Sequence, residues 1–237
     1  MKKYAKYMGV VWLFLSGLNL SAQEVDSAKT KNYKFYIGVG LPLTMYYLFY
    51  DHPKNPSLLQ HASFVPKSLH LGYRLNKRVI MEGGIAYGGS GYHYKFPPSK
   101  LISGEMAEDE DKSRTHVIAL LLTSKLILIN ANKSLPIYVT ASVMPAYGTT
   151  RYYRKRTVNN ETSTEFDVQD EGMDVFAMAG FGFNYRIWRR FSGKADFLLF
   201  RRNLTGRTFD HYWGQGWGEK ALRSLSIGFN YDLGKKS

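Results

Sequence analysis

Charged residues in this chain recur within alternating polar and apolar segments, and their spacing predicts a shared polar interior. In an extended strand, every second side chain points to the same face. The polar faces of these segments carry four acids and four bases: Arg74, Glu82, Lys125, Asp174, Arg186, Lys194, Asp196 and Asp232. These charges should pair, because an unpaired charge in a closed interior is costly. The set favours a packed, charge-paired filling, and a gated path for ions or protons is the alternative.

One short motif has the residue types needed for nucleophilic catalysis. His61-Ala62-Ser63 is the only His-x-Ser in the chain, and two side chains at this spacing share one face of a strand. A serine nucleophile also needs an acid that orients its base, and the sequence shows no obvious acid beside this pair, which falls in a predicted loop. Gly88-Gly89-Ser90-Gly91 lacks the second glycine of a G-x-S-x-G elbow and opens no helix. We therefore predict no catalytic residue.

Metal and cofactor chemistry finds no support in the sequence. The chain has no Cys, which removes disulfides, thiolate ligands and a lipid-anchoring cysteine. The histidines show no spacing typical of a metal site: His52, His61, His70, His93, His116 and His211. We predict neither a metal site nor a cofactor.

The elements that must position these residues are eight alternating segments. In the last one, Leu225, Ile227, Phe229 and Tyr231 share a face opposite small and polar residues. Such alternation over about ten residues, with aromatics on the apolar face, is typical of a membrane-spanning barrel strand. The predicted strands cover about residues 33–43, 67–75, 78–87, 115–129, 136–147, 173–187, 191–201 and 222–233. The fourth is nearly all apolar, and there we expect an outward face of Ile118, Leu120, Leu122, Leu126 and Leu128.

Long and short connections alternate between these segments. The long ones are predicted loops at 44–65, 89–113, 148–172 and 202–221, of which the second holds the acidic cluster Glu105 to Asp111. Outer-membrane barrels have an even number of strands, short periplasmic turns and long external loops. We therefore predict an all-β fold, an eight-stranded antiparallel up-and-down transmembrane β-barrel over residues 23–233. A soluble eight-stranded barrel is the structural alternative, because alternation alone does not tell which face is wet.

The N-terminal residues predict export. Residues 1–22 combine three lysines with an apolar stretch and the small-residue end Leu20-Ser21-Ala22, which is the pattern of a secretory signal peptide. No internal run of about 20 apolar residues exists, which excludes a helical membrane protein. The formal net charge of +13 suits an anionic lipid surface, and we predict no nucleic-acid partner for an exported chain. Residues 234–237 are expected to form a short periplasmic tail.

A family resemblance rests on three of these features. The signal peptide ending in Ser-Ala-Gln, the eight alternating segments and the closing Ile-Gly-Phe-Asn-Tyr-Asp-Leu resemble the small outer-membrane β-barrel proteins of Bacteroidota. The architecture is similar to that of OmpX and of the barrel domain of OmpA. This resemblance implies the fold and an outer-membrane location, and it transfers no functional residue. His61-x-Ser63 also resembles the motif of the PagL lipid A deacylases, although Phe64 follows it in place of that family's Asn.

Two predicted external loops offer residues for binding. The third loop carries basic side chains that suit the phosphates of lipopolysaccharide, because guanidinium groups pair bidentately with phosphate: Arg151, Arg154, Lys155 and Arg156. The fourth loop carries Trp213 and Trp217, which suit contact with a protein or glycan. Both groups would equally suit the membrane interface, where aromatic and basic residues ordinarily lie.

Taken together, these patterns predict a non-enzymatic outer-membrane barrel. Its role would be structural, or it would contact partners through its external loops, alone or as an accessory of an envelope secretion or uptake complex. The expected partners are outer-membrane lipid, lipopolysaccharide and envelope proteins. The alternatives are a PagL-like or PagP-like enzyme that modifies lipid A, and a narrow channel.

Overall fold

A computed structural model describes residues 33–50, 54, 61–100, 102–130, 135–205 and 225–234. The strands in this part of the chain are β1 (Phe35–Pro42), β2 (Tyr46–Phe49), β3 (His61–Phe64), β4 (Lys67–Arg74), β5 (Val79–Gly88), β6 (Gly91–Lys95), β7 (Ser99–Lys100), β8 (Met106–Asn130), β9 (Pro136–Val158), β10 (Glu161–Trp188), β11 (Phe191–Asn203) and β12 (Leu225–Leu233). Within the same residues, no helix is long and apolar enough to cross a membrane. The predicted signal peptide, residues 1–22, lies outside the described residues.

Eight of the strands close into a ring. Their order is β5, β4, β1, β12, β11, β10, β9 and β8, and β8 returns to pair with β5. All of these neighbours are antiparallel. A closed ring has no open edge, which matters in lipid because each unpaired backbone group there is costly. The predicted eight-stranded antiparallel up-and-down barrel is confirmed.

The outer face of the ring is apolar. On β1, Phe35, Ile37, Val39 and Leu41 expose between 39% and 46% of their surface, whereas the intervening Tyr36 exposes 2%. The outward face predicted for the nearly apolar segment is also exposed: Ile118, Leu120, Leu122, Leu126 and Leu128. A band of this kind is the surface that a bilayer covers in a transmembrane barrel.

Three strands continue well beyond the apolar band. β8, β9 and β10 contain 25, 23 and 28 residues, and together with β6 and β7 they form an outer sheet at the end of the barrel with the long connections. The loops predicted at 89–113 and 148–172 are therefore largely strand. The reason lies in cross-strand pairing: Asp111 faces Arg154 and Asp109 faces Arg156, and opposite charges directly across a sheet stabilise it. Charge complementarity here replaces hydrophobic alternation.

The tip of this outer sheet is a two-residue turn. Asn159 and Asn160 connect β9 to β10 with φ values of 50° and 67°. A two-residue hairpin whose central residues both have positive φ has the twist of the flanking strands, and Asn tolerates that conformation better than most residues. The turn lets β9 and β10 stay paired from Glu161, opposite Val158, down into the barrel.

The loop predicted at 44–65 also contains structure. β2 and β3 pair as a short antiparallel hairpin, which packs against inward residues of the ring near the long connections. Its buried side chains join a core cluster with inward residues of the barrel strands: Tyr46, Leu48, Tyr50, Ala62, Phe64, Ala86, Val117, Ala119, Met144, Ala146, Tyr152, Phe176, Met178 and Leu198. The lumen thus has an apolar tier near the long connections and a polar tier near the short turns.

Candidate functional site: a filled lumen and a charged outer sheet

The polar tier centres on the carboxylate of Glu82, on β5. Lys125 Nζ on β8 donates to Glu82 Oε1 at 2.8 Å, and Lys194 Nζ on β11 lies 3.5 Å from Oε2. Tyr36 on β1 donates its hydroxyl to Oε1 at 2.5 Å. Both carboxylate oxygens therefore have cationic donors in a site where the Glu82 side chain is 3% exposed. A buried charge needs this complete set of partners.

A second carboxylate, Asp196 on β11, completes this tier. Tyr138 on β9 is fully buried and donates its hydroxyl to Asp196 Oδ1 at 2.7 Å. Lys125 Nζ lies 4.8 Å from the centre of the Tyr138 ring, so one ammonium group contacts both a carboxylate and an aromatic face. His70 on β4 links the network to Asn230 on β12 at 3.0 Å.

Two arginines mark the mouth of the barrel at the short turns. Arg74 Nη2 donates to Asp232 Oδ1 at 2.8 Å, and its other terminal nitrogen donates to the carbonyl of Tyr33 at 2.6 Å. Arg186 Nη2 lies 3.8 Å from the same carboxylate, with its side chain 55% exposed. The structure thus places Arg186 at the rim, where water reaches it, rather than in the interior expected from strand parity.

Asp174 lies apart from this network, in the apolar tier. Its Oδ2 accepts the backbone N–H of Phe49 at 2.8 Å, and its other oxygen accepts the hydroxyl of Thr205. Asp170, four residues further out on the same face of β10, accepts the backbone N–H of Lys54 at 3.1 Å. These two carboxylates therefore hold the end of β2 and the connection that follows it. Among the described residues, Asp174 forms none of the ion pairs predicted for it.

The hairpin is seated by close packing as well. Tyr46 donates its hydroxyl to Met178 Sδ at 2.9 Å, and its ring centre lies 5.3 Å from that of Phe176. At Gly172, a Cβ would lie 2.6 Å from the carbonyl oxygen of Phe49, so the strand must lack a side chain where the hairpin approaches it. The filled apolar tier and the paired polar tier together leave an internal cavity of about 70 Å³ between them.

The His61-Ala62-Ser63 motif lies on β3 of the hairpin. The hydroxyl of Ser63 lies 3.3 Å from that of Ser90, and the His61 ring packs against Tyr47 and Phe49 at centroid distances of 4.9 and 5.6 Å. The pair is thus on a strand and not in the loop predicted for it. Among the described residues, no group of three His, Asp or Glu side chains is arranged to hold a metal ion.

The basic run predicted in the third loop lies instead on β9 of the outer sheet, where all three of its arginines are already paired with aspartates. Arg154 forms two hydrogen bonds with Asp111, at 2.6 and 2.7 Å, and Arg156 forms two with Asp109, at 2.8 and 2.9 Å. The hydrogen bonds from Arg154 hold the pKa of the Asp111 carboxyl below its usual value. Those from Arg156 do the same for the pKa of Asp109.

Strand parity divides this basic run between two faces. Arg151 and Lys155 lie on the outer face with Tyr153, whose ring centre is 5.4 Å from Lys155 Nζ, and Arg154 lies on the inner face beside the buried Tyr152. Arg151 is paired with Asp167, at 2.7 and 2.9 Å, in an exposed contact. Trp213 and Trp217, also predicted for binding, lie outside the described residues.

Comparison with known proteins gives a structural likeness only. No family model and no curated protein matches the sequence. Among solved structures, Ail, the attachment invasion locus protein of Yersinia pestis, is 12% identical, with 83% of this chain and 91% of that chain covered and a TM-score of 0.36. The same protein in complex with the heparin analogue sucrose octasulfate is 11% identical, with 83% and 92% covered and a TM-score of 0.32. This likeness transfers no residue, ligand or activity.

Proposed function

We propose that this chain is an exported, non-enzymatic outer-membrane barrel that acts at the cell surface through its outer sheet. The observation that carries the proposal is the pairing of an apolar outer band with a lumen that is filled at both tiers. A barrel with that exterior belongs in a bilayer. The filled interior stabilises the barrel and the outer sheet that continues from its strands.

The filled lumen favours this role over that of a narrow channel. The β2–β3 hairpin occupies the apolar tier, and the side chains of Glu82, Lys125 and Lys194 occupy the polar tier. Eight strands enclose a space that side chains alone can fill. An ion would have to displace buried, charge-paired groups in order to pass.

The outer sheet is the part offered to partners. Arg154 and Arg156 hold β8 and β9 together, so the side chains offered to lipopolysaccharide or an envelope protein are those of the outer face. They include Lys155, and Arg151 in its exposed pair with Asp167. Trp213 and Trp217 keep the role proposed for them from the sequence, contact with a protein or glycan. The specific relationship to the barrels of Bacteroidota and to OmpX, and the cleaved signal peptide, likewise stay proposals drawn from the sequence.

Two measurements test this function. The full chain, with a C-terminal tag, is expected in the outer-membrane fraction, and crosslinking of intact outer membranes followed by mass spectrometry identifies proteins bound to the outer sheet. Recovery from the soluble periplasm would overturn the membrane location. The purified barrel in planar bilayers should show no steady conductance, and a stable conductance that changes on Glu82→Gln would instead establish a channel.

A further inference from the structure

A groove on the outer surface of the barrel combines three cations with a glycine-rich floor. It has a volume of about 630 Å³ and lies between the end of β5, the start of β6 and the strand β8. Lys67, Lys112 and Arg114 line it, and the lining contains no Asp or Glu. The segment Gly88-Gly89-Ser90-Gly91, which is no nucleophile elbow, forms its floor.

The glycines of this segment are what make the groove. A Cβ at Gly89 would lie 2.3 Å from the carbonyl oxygen of Thr115, so the chain passes against β8 with no room for a side chain. Thr115 donates its backbone N–H to the carbonyl of Ser90 at 2.7 Å, which fixes the floor to the strand. Three of the four floor residues have no side chain, and the small Ser90 hydroxyl lies 3.3 Å from that of Ser63, so the floor leaves the neighbouring lysines and the arginine open to a ligand.

The histidines that line the groove have partners that hold them at its edge. His116 Nδ1 lies 2.7 Å from the hydroxyl of Tyr87, and His93 Nε2 lies 2.6 Å from Glu110 Oε1. Among the described residues, none of Lys67, Lys112 and Arg114 lies within 4.0 Å of a carboxylate. The neighbouring groove across β8 is different, because Asp167 is part of its lining and pairs with Arg151. Lys112 and Arg114 line both grooves, and only the lining on the β5 side adds Lys67 and contains no carboxylate.

The height of the groove matches lipid headgroups. Tyr87 and Ile118 face each other at the edge of the apolar band, 53% and 63% exposed. The groove lining starts at Tyr87 on β5 and at His116 on β8 and continues outward. Arg114 is four residues beyond Ile118, which is roughly 13 Å along a strand and about 10 Å above the band once the strand tilt is included. A ligand at this height is part of the membrane surface.

We propose that this groove binds the phosphate groups of a phosphorylated glycolipid of the outer leaflet, that is, of lipid A. The inference rests on the proposed outer-membrane location, because only there does the groove meet that lipid. Lys67, Lys112 and Arg114 supply charge-assisted hydrogen bonds to the phosphate oxygens, and the glycine floor admits the bulky sugar-phosphate to the strand. The acyl chains then lie along Ile85 and Ile118 on the apolar band.

The test compares two lipids and two charge-matched variants. The purified full chain in zwitterionic detergent is titrated with lipid A, or with the same lipid A after phosphatase treatment, and bound lipid is counted by native mass spectrometry. Lys67→Gln/Lys112→Gln/Arg114→Gln should weaken binding of phosphorylated lipid A by about tenfold or more. Lys77→Gln/Arg78→Gln/Arg189→Gln, at the turns on the other side of the membrane, removes the same charge and should leave binding unchanged.

Each result decides the proposal. Equal affinity for the two lipids, or an equal loss in both triple variants, would overturn it, and competition by millimolar inorganic phosphate alone would show a free-phosphate site instead. Heat-modifiable migration on gels verifies that every variant is folded. The binding assay does not depend on where the protein resides, so a failure of the groove is distinct from a failure of the outer-membrane location, which fractionation reports.

Discussion

Two charge networks in this protein have the same chemistry and different access to water. In the barrel, Glu82 and Lys125 lie 2.8 Å apart with side chains 3% and 1% exposed. In the outer sheet, Arg151 and Asp167 lie 2.7 Å apart with side chains 60% and 45% exposed. The distances are nearly equal, so geometry alone does not distinguish what the two pairs contribute to stability.

The distinction comes from desolvation. Burying a charge costs several kcal/mol, and the buried network recovers that cost only while every partner is present. An exposed pair keeps its water, and salt screens the attraction between its members. Substitution of any one member of the barrel network should therefore lower the free energy of unfolding strongly, whereas substitution in the exposed pair should change it little.

The largest effect is expected from Glu82→Gln. The change leaves Lys125 and Lys194 buried without their shared carboxylate, which should lower the free energy of unfolding by about 3–5 kcal/mol. Urea unfolding of the folded protein in detergent micelles measures it. Asp167→Asn makes the same acid-to-amide change in the outer sheet and serves as the control. Equal destabilisation by the two substitutions would remove the distinction between the networks.

A smaller effect is expected from Tyr138→Phe. This change keeps the ring that faces Lys125 and removes only the hydroxyl that Asp196 accepts at 2.7 Å. Leaving that buried acceptor short of one donor should cost about 1–3 kcal/mol in the same urea assay. Tyr147→Phe removes an exposed hydroxyl that donates to Glu171 and should change nothing measurable. If both variants behave alike, burial is not what sets the contribution of these contacts.

How much of this was predictable differs between the two networks. Strand parity placed Glu82, Lys125, Lys194 and Asp196 on the inner face, because alternation depends only on local sequence. It did not identify their partners, since which strands face each other across the lumen depends on the stagger of the closed ring. Tyr36 and Tyr138 also occupy inward-facing positions of their strands. That position in the alternation was the sequence feature that could have indicated their contacts with the lumen carboxylates.

The outer sheet and the hairpin were missed for a different reason. The segment from Glu105 to Asp111 and the run from Arg151 to Arg156 look like solvated loops, because neither shows apolar alternation. The sequence feature that could have predicted the outer sheet is the complementary charge of these two segments. It predicts strand pairing only once β8 and β9 are known to be neighbours. The hairpin strand Tyr46–Phe49 is apolar at every position, so it shows no period at all.

The partly buried pair of Asp111 and Arg154 should give an intermediate, pH-dependent effect. The Asp111 pKa is lowered in the folded protein by hydrogen bonds from Arg154. Its stabilising contribution is therefore present above the unfolded pKa, about 3.9, and is lost as the pH falls through the lower folded pKa. Wild type should lose stability in urea unfolding as the pH falls below about 4, and Asp111→Asn should lose less. An unchanged acid response in the variant would show that the acid sensitivity lies elsewhere.

The smallest effect is expected from Arg151→Gln, which removes the exposed partner of Asp167. Both side chains already contact water, so the urea midpoint at physiological salt should not move, and lowering the ionic strength should reveal only a slight loss. Arg114→Gln on β8, directly across from Arg151, is the matched control, because it removes a cation that has no carboxylate partner within reach among the described residues. A shift for Arg151→Gln as large as that for Glu82→Gln would mean that the outer sheet is held together by its surface charges. If the midpoint stays, the side chains that stabilise the sheet are Arg154 and Arg156 on its inner face, and the outer-face cations are free to serve binding without a loss of stability.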